Sequence, residues 1–209
     1  MTRLCIVRHG ETAWNAEHRV QGQLDAPLSE VGRAQALAVA RALAGERFAA
    51  VYSSDLSHAR DTAQPAARAL GLEVRLDARL RERHYGVFER LTYAECEARY
   101  PEDYARFLAR DPEFDFRTGE SLRLFYQRAV GCVEEIAARY PGESILVVTH
   151  GGVLDKLYRR VTGLPLSAPR DFRIPNAALN RLAAGPSGWR IVAWADESHL
   201  EGALDDLPE

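Results

Sequence analysis

The sequence has little of what marks several common protein classes. It carries three cysteines in 209 residues, Cys5, Cys96 and Cys132, with no Cys-x-x-Cys pair among them. An odd, scattered set excludes a disulfide-stapled scaffold and fits reduced thiols in a reducing compartment. No apolar run approaches the roughly 20 residues a bilayer span needs. Met1-Thr2-Arg3-Leu4 leads straight into a strand pattern rather than a signal-peptide layout. These absences predict a cytoplasmic protein with no membrane partner. There is no excess of positive charge either. The formal net charge is −3, which argues against a nucleic-acid partner and makes any attraction for anions local. Internal repeats, low-complexity linkers and His-x-x-x-His metal spacing are also missing.

What remains is an ordinary globular composition, 46% hydrophobic and 27% charged, enough for one core. Leu4–Val7, Ala50–Ser53 and Ser144–Thr149 read as buried strands, and Leu72–Leu76 as a further strand. Helices are predicted from Ser29 to Leu43, and from Asp55 or Ser57 to Leu70. A long one starts near Ser121, and another runs from Gly151 to Val161. Asn176–Ala184 and Trp189–Trp194 read as closing strands. Alternating strands and helices predict an α/β fold: a three-layer α/β/α sandwich with a mostly parallel central sheet. Residues 1–209 are read as a single domain. Within it, 77–117 forms a cap or insertion and 197–209 an acidic tail.

Three strands end directly in reactive groups. Arg8-His9-Gly10-Glu11-Thr12 follows the first. Ser53-Ser54-Asp55, with Arg60 further on, follows the second. Thr149-His150-Gly151-Gly152 follows the late apolar strand. Ligand sites in such sheets lie beyond the carboxyl ends of strands. If these strands are neighbours, Arg8, His9, Arg60 and His150 converge on one cationic pocket, whose natural ligand is a phosphate group. Gly10 and Gly151-Gly152 permit close backbone approach to an anion. A metal is disfavoured, since a unit charge at about 4 Å is worth roughly 4 kcal/mol at a dielectric of about 20 and two arginines would repel a dication. A neutral histidine could attack phosphorus while the arginines stabilise the transferring oxygens. Glu82 is the candidate proton donor for the leaving group. His18, His58, His84 and His199 are read as structural or surface histidines, with His58 expected to be exposed on the helix that carries Arg60.

The ordered set of motifs resembles the histidine phosphatase superfamily, in its phosphoglycerate mutase-like branch. The resemblance rests on Arg8-His9-Gly10-Glu11-Thr12 with Trp14-Asn15, on Gln21-Gly22, and on Ser53-Ser54-Asp55-Leu56 with Ala59-Arg60 and Thr62. It continues through Glu82–Gly86, Gly119-Glu120-Ser121 and Thr149-His150-Gly151-Gly152. It implies a phosphohistidine on His9, a phosphate pocket of Arg8, Arg60 and His150, and Glu82 as proton donor. It also implies phosphate or substrate contacts from Asn15, Gln21, Gly22, Arg83, Tyr85 and Gly151. No metal or organic cofactor is implied for a phosphatase member. The implied partner is a small phosphorylated metabolite.

Two activities share this frame. Glu82-Arg83-His84-Tyr85-Gly86 resembles cofactor-dependent phosphoglycerate mutases, which require 2,3-bisphosphoglycerate. Yet Tyr93 stands where those enzymes have a substrate-binding lysine, and Ala109-Arg110 stands where they have an arginine pair. Missing cations favour water as the phosphoryl acceptor. The expectation is therefore a phosphomonoesterase of histidine acid phosphatase type, with mutase and non-catalytic phospholigand binding as alternatives.

Overall fold

The computed structural model describes residues 1–201. Strand β1 (Thr2–Arg8) is followed by a short helix α1 (Ala13–Ala16) and by α2 (Glu30–Leu43). Then come β2 (Ala50–Ser53), α3 (Ser57–Ala69) and β3 (Val74–Leu76). Helices α4 (Tyr93–Arg99), α5 (Pro101–Leu108) and α6 (Leu122–Ala138) lead to β4 (Ser144–Thr149) and α7 (Gly151–Thr162). A hairpin of β5 (Leu179–Gly185) and β6 (Gly188–Asp196) follows.

The six strands form one sheet in the order β3-β2-β4-β1-β5-β6. β1, β2, β3 and β4 are parallel, while β5 runs antiparallel to both β1 and β6. The alternation in β1 explains the layers. Leu4 and Ile6 face one core with α6 and α7 residues such as Val133, Ile136, Leu154 and Leu157. Cys5 and Val7 face a second core with Val39 and Leu43 of α2 and Ala59, Ala63 and Ala66 of α3. A strand's period of two sends successive side chains to opposite faces, so both faces must be covered, and the fold is the expected three-layer α/β/α sandwich.

Local chemistry sets the boundaries. Ser29 caps α2, its hydroxyl accepting the Gly32 N–H at 3.0 Å. The helix expected to open at Asp55 or Ser57 starts at Ser57, and neither residue caps it: Leu56 occupies the N-cap of α3 with no side-chain bond. Asp55 is instead taken by Arg81 in a two-pronged ion pair at 2.7 and 2.6 Å. Within 77–117 a third apolar cluster forms around Phe88, Cys96, Phe114 and Phe116, apart from the two sheet cores. Of the tail 197–209, residues Ser198–Leu200 form a 3-10 turn, and the Leu200 side chain packs on the second core. Residues 202–209 lie outside the described residues. No described helix is long and apolar enough to cross a membrane.

The topology places the chemistry. β1 and β4 are neighbours in register, Arg8 opposite Thr149, and the His9 N–H donates to Thr149 O at 2.8 Å. His9 and His150 therefore leave the sheet side by side.

Candidate active site

His9 is 5% exposed and His150 1%, and their ring centroids lie 5.1 Å apart. The His9 ring has one decisive contact: Nδ1 lies 2.7 Å from the Gly10 carbonyl oxygen. A carbonyl can only accept, so Nδ1 carries the proton and Nε2 keeps its lone pair. Burial holds the His9 pKa well below the ordinary imidazole value, with His58 and then Arg8 adding to the effect. His150 is driven down in the same way, by burial first and then by His9 and His58. Both rings are neutral at neutral pH. The Nε2 atom of His150 and the Nε of Arg8 are buried without a hydrogen-bond partner. Arg8 is fixed by its other arm, Nη1 donating to Ile174 O at 2.7 Å.

Arg60 does not join them. Its side chain is 46% exposed and its Nε donates to Asp61 at 3.0 Å. The third partner is His58, expected on the surface but fully buried. Its ring lies 4.5 Å from His9 and 5.1 Å from His150, centroid to centroid. Helical geometry explains the exchange. Residues 58 and 60 are about 200° apart around the axis, whereas 58 and 62 share a face. Thr62 accepts the Gly10 N–H at 2.9 Å and donates to the His58 carbonyl at 2.7 Å, so the face bearing His58 is turned to the site. The signal was present in the sequence, since Ala59, Thr62, Ala63 and Ala66 mark the buried side of that helix. Burial lowers the His58 pKa, opposed by Asp25, which sits 3.4 Å from Nδ1.

A cavity of about 140 Å³ is lined by Arg8, His9, His58, His150, Glu82 and Asn15, with Gln21, Gly22, Tyr85 and Gly151 also contributing. Asn15 closes the α1 capping box, its Oδ1 accepting the Thr12 N–H at 3.2 Å, which leaves its amide N–H groups to face a ligand. Gln21 is a relay: Oε1 accepts from the Thr12 hydroxyl at 2.9 Å and Nε2 lies 3.2 Å from the His58 ring. Gly22 takes a positive φ of 59°, where a side chain would be strained.

Glu82 lines this cavity and also a larger one of about 450 Å³ beside it. Its carboxylate accepts the backbone N–H of Arg83 at 2.7 Å and of Gly152 at 2.8 Å. The Gly152 N–H, expected to meet an anion, is thus committed to Glu82. Arg83 is buried, its guanidinium donating to the carbonyls of Glu120 and Phe114 at 2.7 Å. It reaches only the larger cavity.

Residues 4–197 match the profile of the histidine phosphatase superfamily, branch 1. The chain belongs to that superfamily. A phosphoglycerate mutase-like protein of Arabidopsis thaliana is 44% identical over 203 residues, covering 95% of this chain and 86% of the relative. A metal-independent phosphoserine phosphatase of the same plant is 40% identical, covering 96% and 84%. A mycobacterial glucosyl-3-phosphoglycerate phosphatase, solved with vanadate, superposes with a TM-score of 0.82 at 35% identity, covering 93% and 99%. The chain thus has phosphatases among its relatives, and one of them works without metal, so phosphatase chemistry in this superfamily calls for no cofactor. The mycobacterial enzyme shares the fold of this chain, and by their names it and the plant phosphatase act on small phosphorylated compounds.

Proposed function

We propose that the chain hydrolyses small phosphomonoesters through a phosphohistidine on His9. The observation that carries this is the His9 tautomer: the Gly10 carbonyl holds the proton on Nδ1 and leaves Nε2 as a buried nucleophile. In the first step Nε2 attacks phosphorus, the ester P–O bond breaks, and protonated Glu82 gives its proton to the departing oxygen. In the second step water attacks the phosphohistidine. Glu82, now a carboxylate, takes the water proton as the N–P bond breaks and phosphate leaves. Arg8 Nε and His150 Nε2, both without partners, supply hydrogen bonds to the transferring oxygens. Asn15 adds its amide. Arg60 has no part in this scheme, and His58 stands in its place.

Water as acceptor is supported by the exposure of Tyr93 and Arg170, which rim the larger cavity. The cation shortage expected from Tyr93 and Ala109 gives it no support, because the larger cavity holds Arg110, Lys156 and Arg170. Phosphoglycerate mutase activity therefore stays as a second reading. A coupled assay with 2,3-bisphosphoglycerate separates the two, since a phosphatase yields no interconversion of 2- and 3-phosphoglycerate. Three buried free thiols fit action in a reducing cytoplasm.

Turnover of a phosphomonoester panel, p-nitrophenyl phosphate included, tests the reading. Protein quenched in alkaline denaturant during turnover should carry an alkali-stable, acid-labile phosphoryl group that His9→Ala lacks. Phosphate release from every ester equal to that of His9→Ala would overturn it.

A further inference from the structure

The chain has a single lysine among its cationic residues, Lys156. A lone lysine is ordinarily a surface residue, but this one is 3% exposed, on α7 six residues after His150. It lines the 450 Å³ cavity that adjoins the His9 pocket and shares Arg8, Glu82, Tyr85, Tyr93 and Gly151 with it.

The charges around Lys156 do not balance. Asp155, 5% exposed at its side chain, offers one oxygen, Oδ2, to three cations. Lys156 Nζ donates to it, Arg159 Nε lies at 3.0 Å and Arg110 Nη2 at 3.4 Å. Arg110 reaches in from the loop after α5, at a positive φ of 52°, its Nε tied to Leu166 O at 3.0 Å. Across the whole wall, five cationic side chains face two carboxylates, Glu82 and Asp155. Burying a cation without a matching anion is costly. Burial pushes the Lys156 ammonium down to about 8 even with Asp155 opposing the shift. Of its three N–H donors, one has a hydrogen-bonding partner. Nothing in the packing requires a lysine there, since the neighbouring Phe125 ring, 5.5 Å from Nζ, would pack as well on methionine.

We infer that Lys156, Arg110 and Arg170 form a subsite for a second acidic group of the substrate, a carboxylate or a second phosphate, while the scissile phosphate sits at His9. The inference rests on the hydrolase reading and narrows it to phosphomonoesters that carry another negative charge. The adjoining cavities give such a molecule one continuous path from His9 to α7. The cation that the sequence lacks at position 93 is supplied from a different element.

The test compares kcat/KM for acidic esters with that for esters lacking the second charge. O-phosphoserine and 3-phosphoglycerate carry a carboxylate, and fructose 1,6-bisphosphate a second phosphate. Glycerol 3-phosphate and p-nitrophenyl phosphate carry neither. Loss of a charged hydrogen bond should cost about 10- to 100-fold, so Lys156→Met and Arg110→Met should each lower the acidic-to-neutral ratio by that much. The preferred acidic ester in the wild type tells carboxylate from phosphate. Arg110 is half-buried, so Arg110→Met carries the test if Lys156→Met fails to fold. A ratio near one in the wild type, or one unmoved in both variants while esters still turn over, overturns the subsite and leaves hydrolysis standing. If no ester turns over, calorimetry on His9→Ala decides the subsite alone. Tighter binding of 3-phosphoglycerate than of glycerol 3-phosphate, lost with Lys156→Met or Arg110→Met, supports it. Equal affinities overturn it.

Discussion

Gly152 donates its backbone N–H to Glu82 Oε2 at 2.8 Å, and this bond ties the candidate proton donor to the start of α7, two residues after His150. A Cβ on Gly152 would lie 2.0 Å from Glu82 Oε1 and 2.9 Å from Phe125 Cε1. Gly152→Ala should therefore displace the carboxylate from the site. Removing a positioned general acid costs about 10²–10⁴ in rate, so Glu82→Gln sets the lower limit and Gly152→Ala should fall between it and wild type. The loss should be smaller for p-nitrophenyl phosphate, whose leaving group needs little protonation, than for an alkyl ester. Equal losses on both esters would contradict Glu82 as the proton donor.

The exchange of Arg60 for His58 makes a paired prediction. Arg60→Ala should leave kcat/KM within about twofold, as expected of an exposed side chain away from the site. His58→Ala removes a ring that lies 4.5 Å from His9 and should lower kcat/KM by about 10²–10³, the usual cost of one pocket group. Steady-state kinetics on the two variants settles the order. A larger loss for Arg60→Ala would restore the convergence expected from the sequence.

Acid should destabilise the fold through the same histidines. His9, His58 and His150 have folded pKa values below the ordinary imidazole value, mainly through burial. Such a group binds fewer protons folded than unfolded. Its contribution is whole above the unfolded pKa of about 6.5 and is lost as pH falls toward the folded value. Each histidine held neutral adds a slope of about 1.4 kcal/mol per pH unit below that point. Urea unfolding between about pH 7 and pH 5 should show declining stability, and His58→Gln should flatten the slope by about one proton. An unchanged slope would mean that His58 is protonated in the fold.

Metal chelation should leave turnover intact, as the metal-independent plant relative leads one to expect. Added zinc should inhibit. His9, His58 and His150 present ligand nitrogens within 4.8 Å of one another, and neutral imidazoles bind zinc well. The second arginine expected to repel a dication points away. Inorganic phosphate should protect by competition. Activity that falls with a chelator and returns with zinc would reverse this prediction.

Much was legible from the chain alone. Short buried apolar strands alternating with helical stretches, one of them opening at Ser29, predicted the layers, because burial patterns and helix starts are local chemistry. Arg8, His9 and His150 could be placed because Arg8 ends a buried strand and His9 and His150 each directly follow one, and strand ends in such sheets are ligand sites. Residues carried by the first turn of a helix were another matter. Whether His58 or Arg60 faces the pocket depends on the rotation of α3 about its axis, set by Ala59, Ala63 and Ala66 packing on the sheet. Lys156 was further out of reach. Charge balance is a property of groups brought together from α7, the loop after α5 and the loop before β5, and only the tertiary structure decides that Lys156 and Arg110 share Asp155 while Arg170 lines the same cavity.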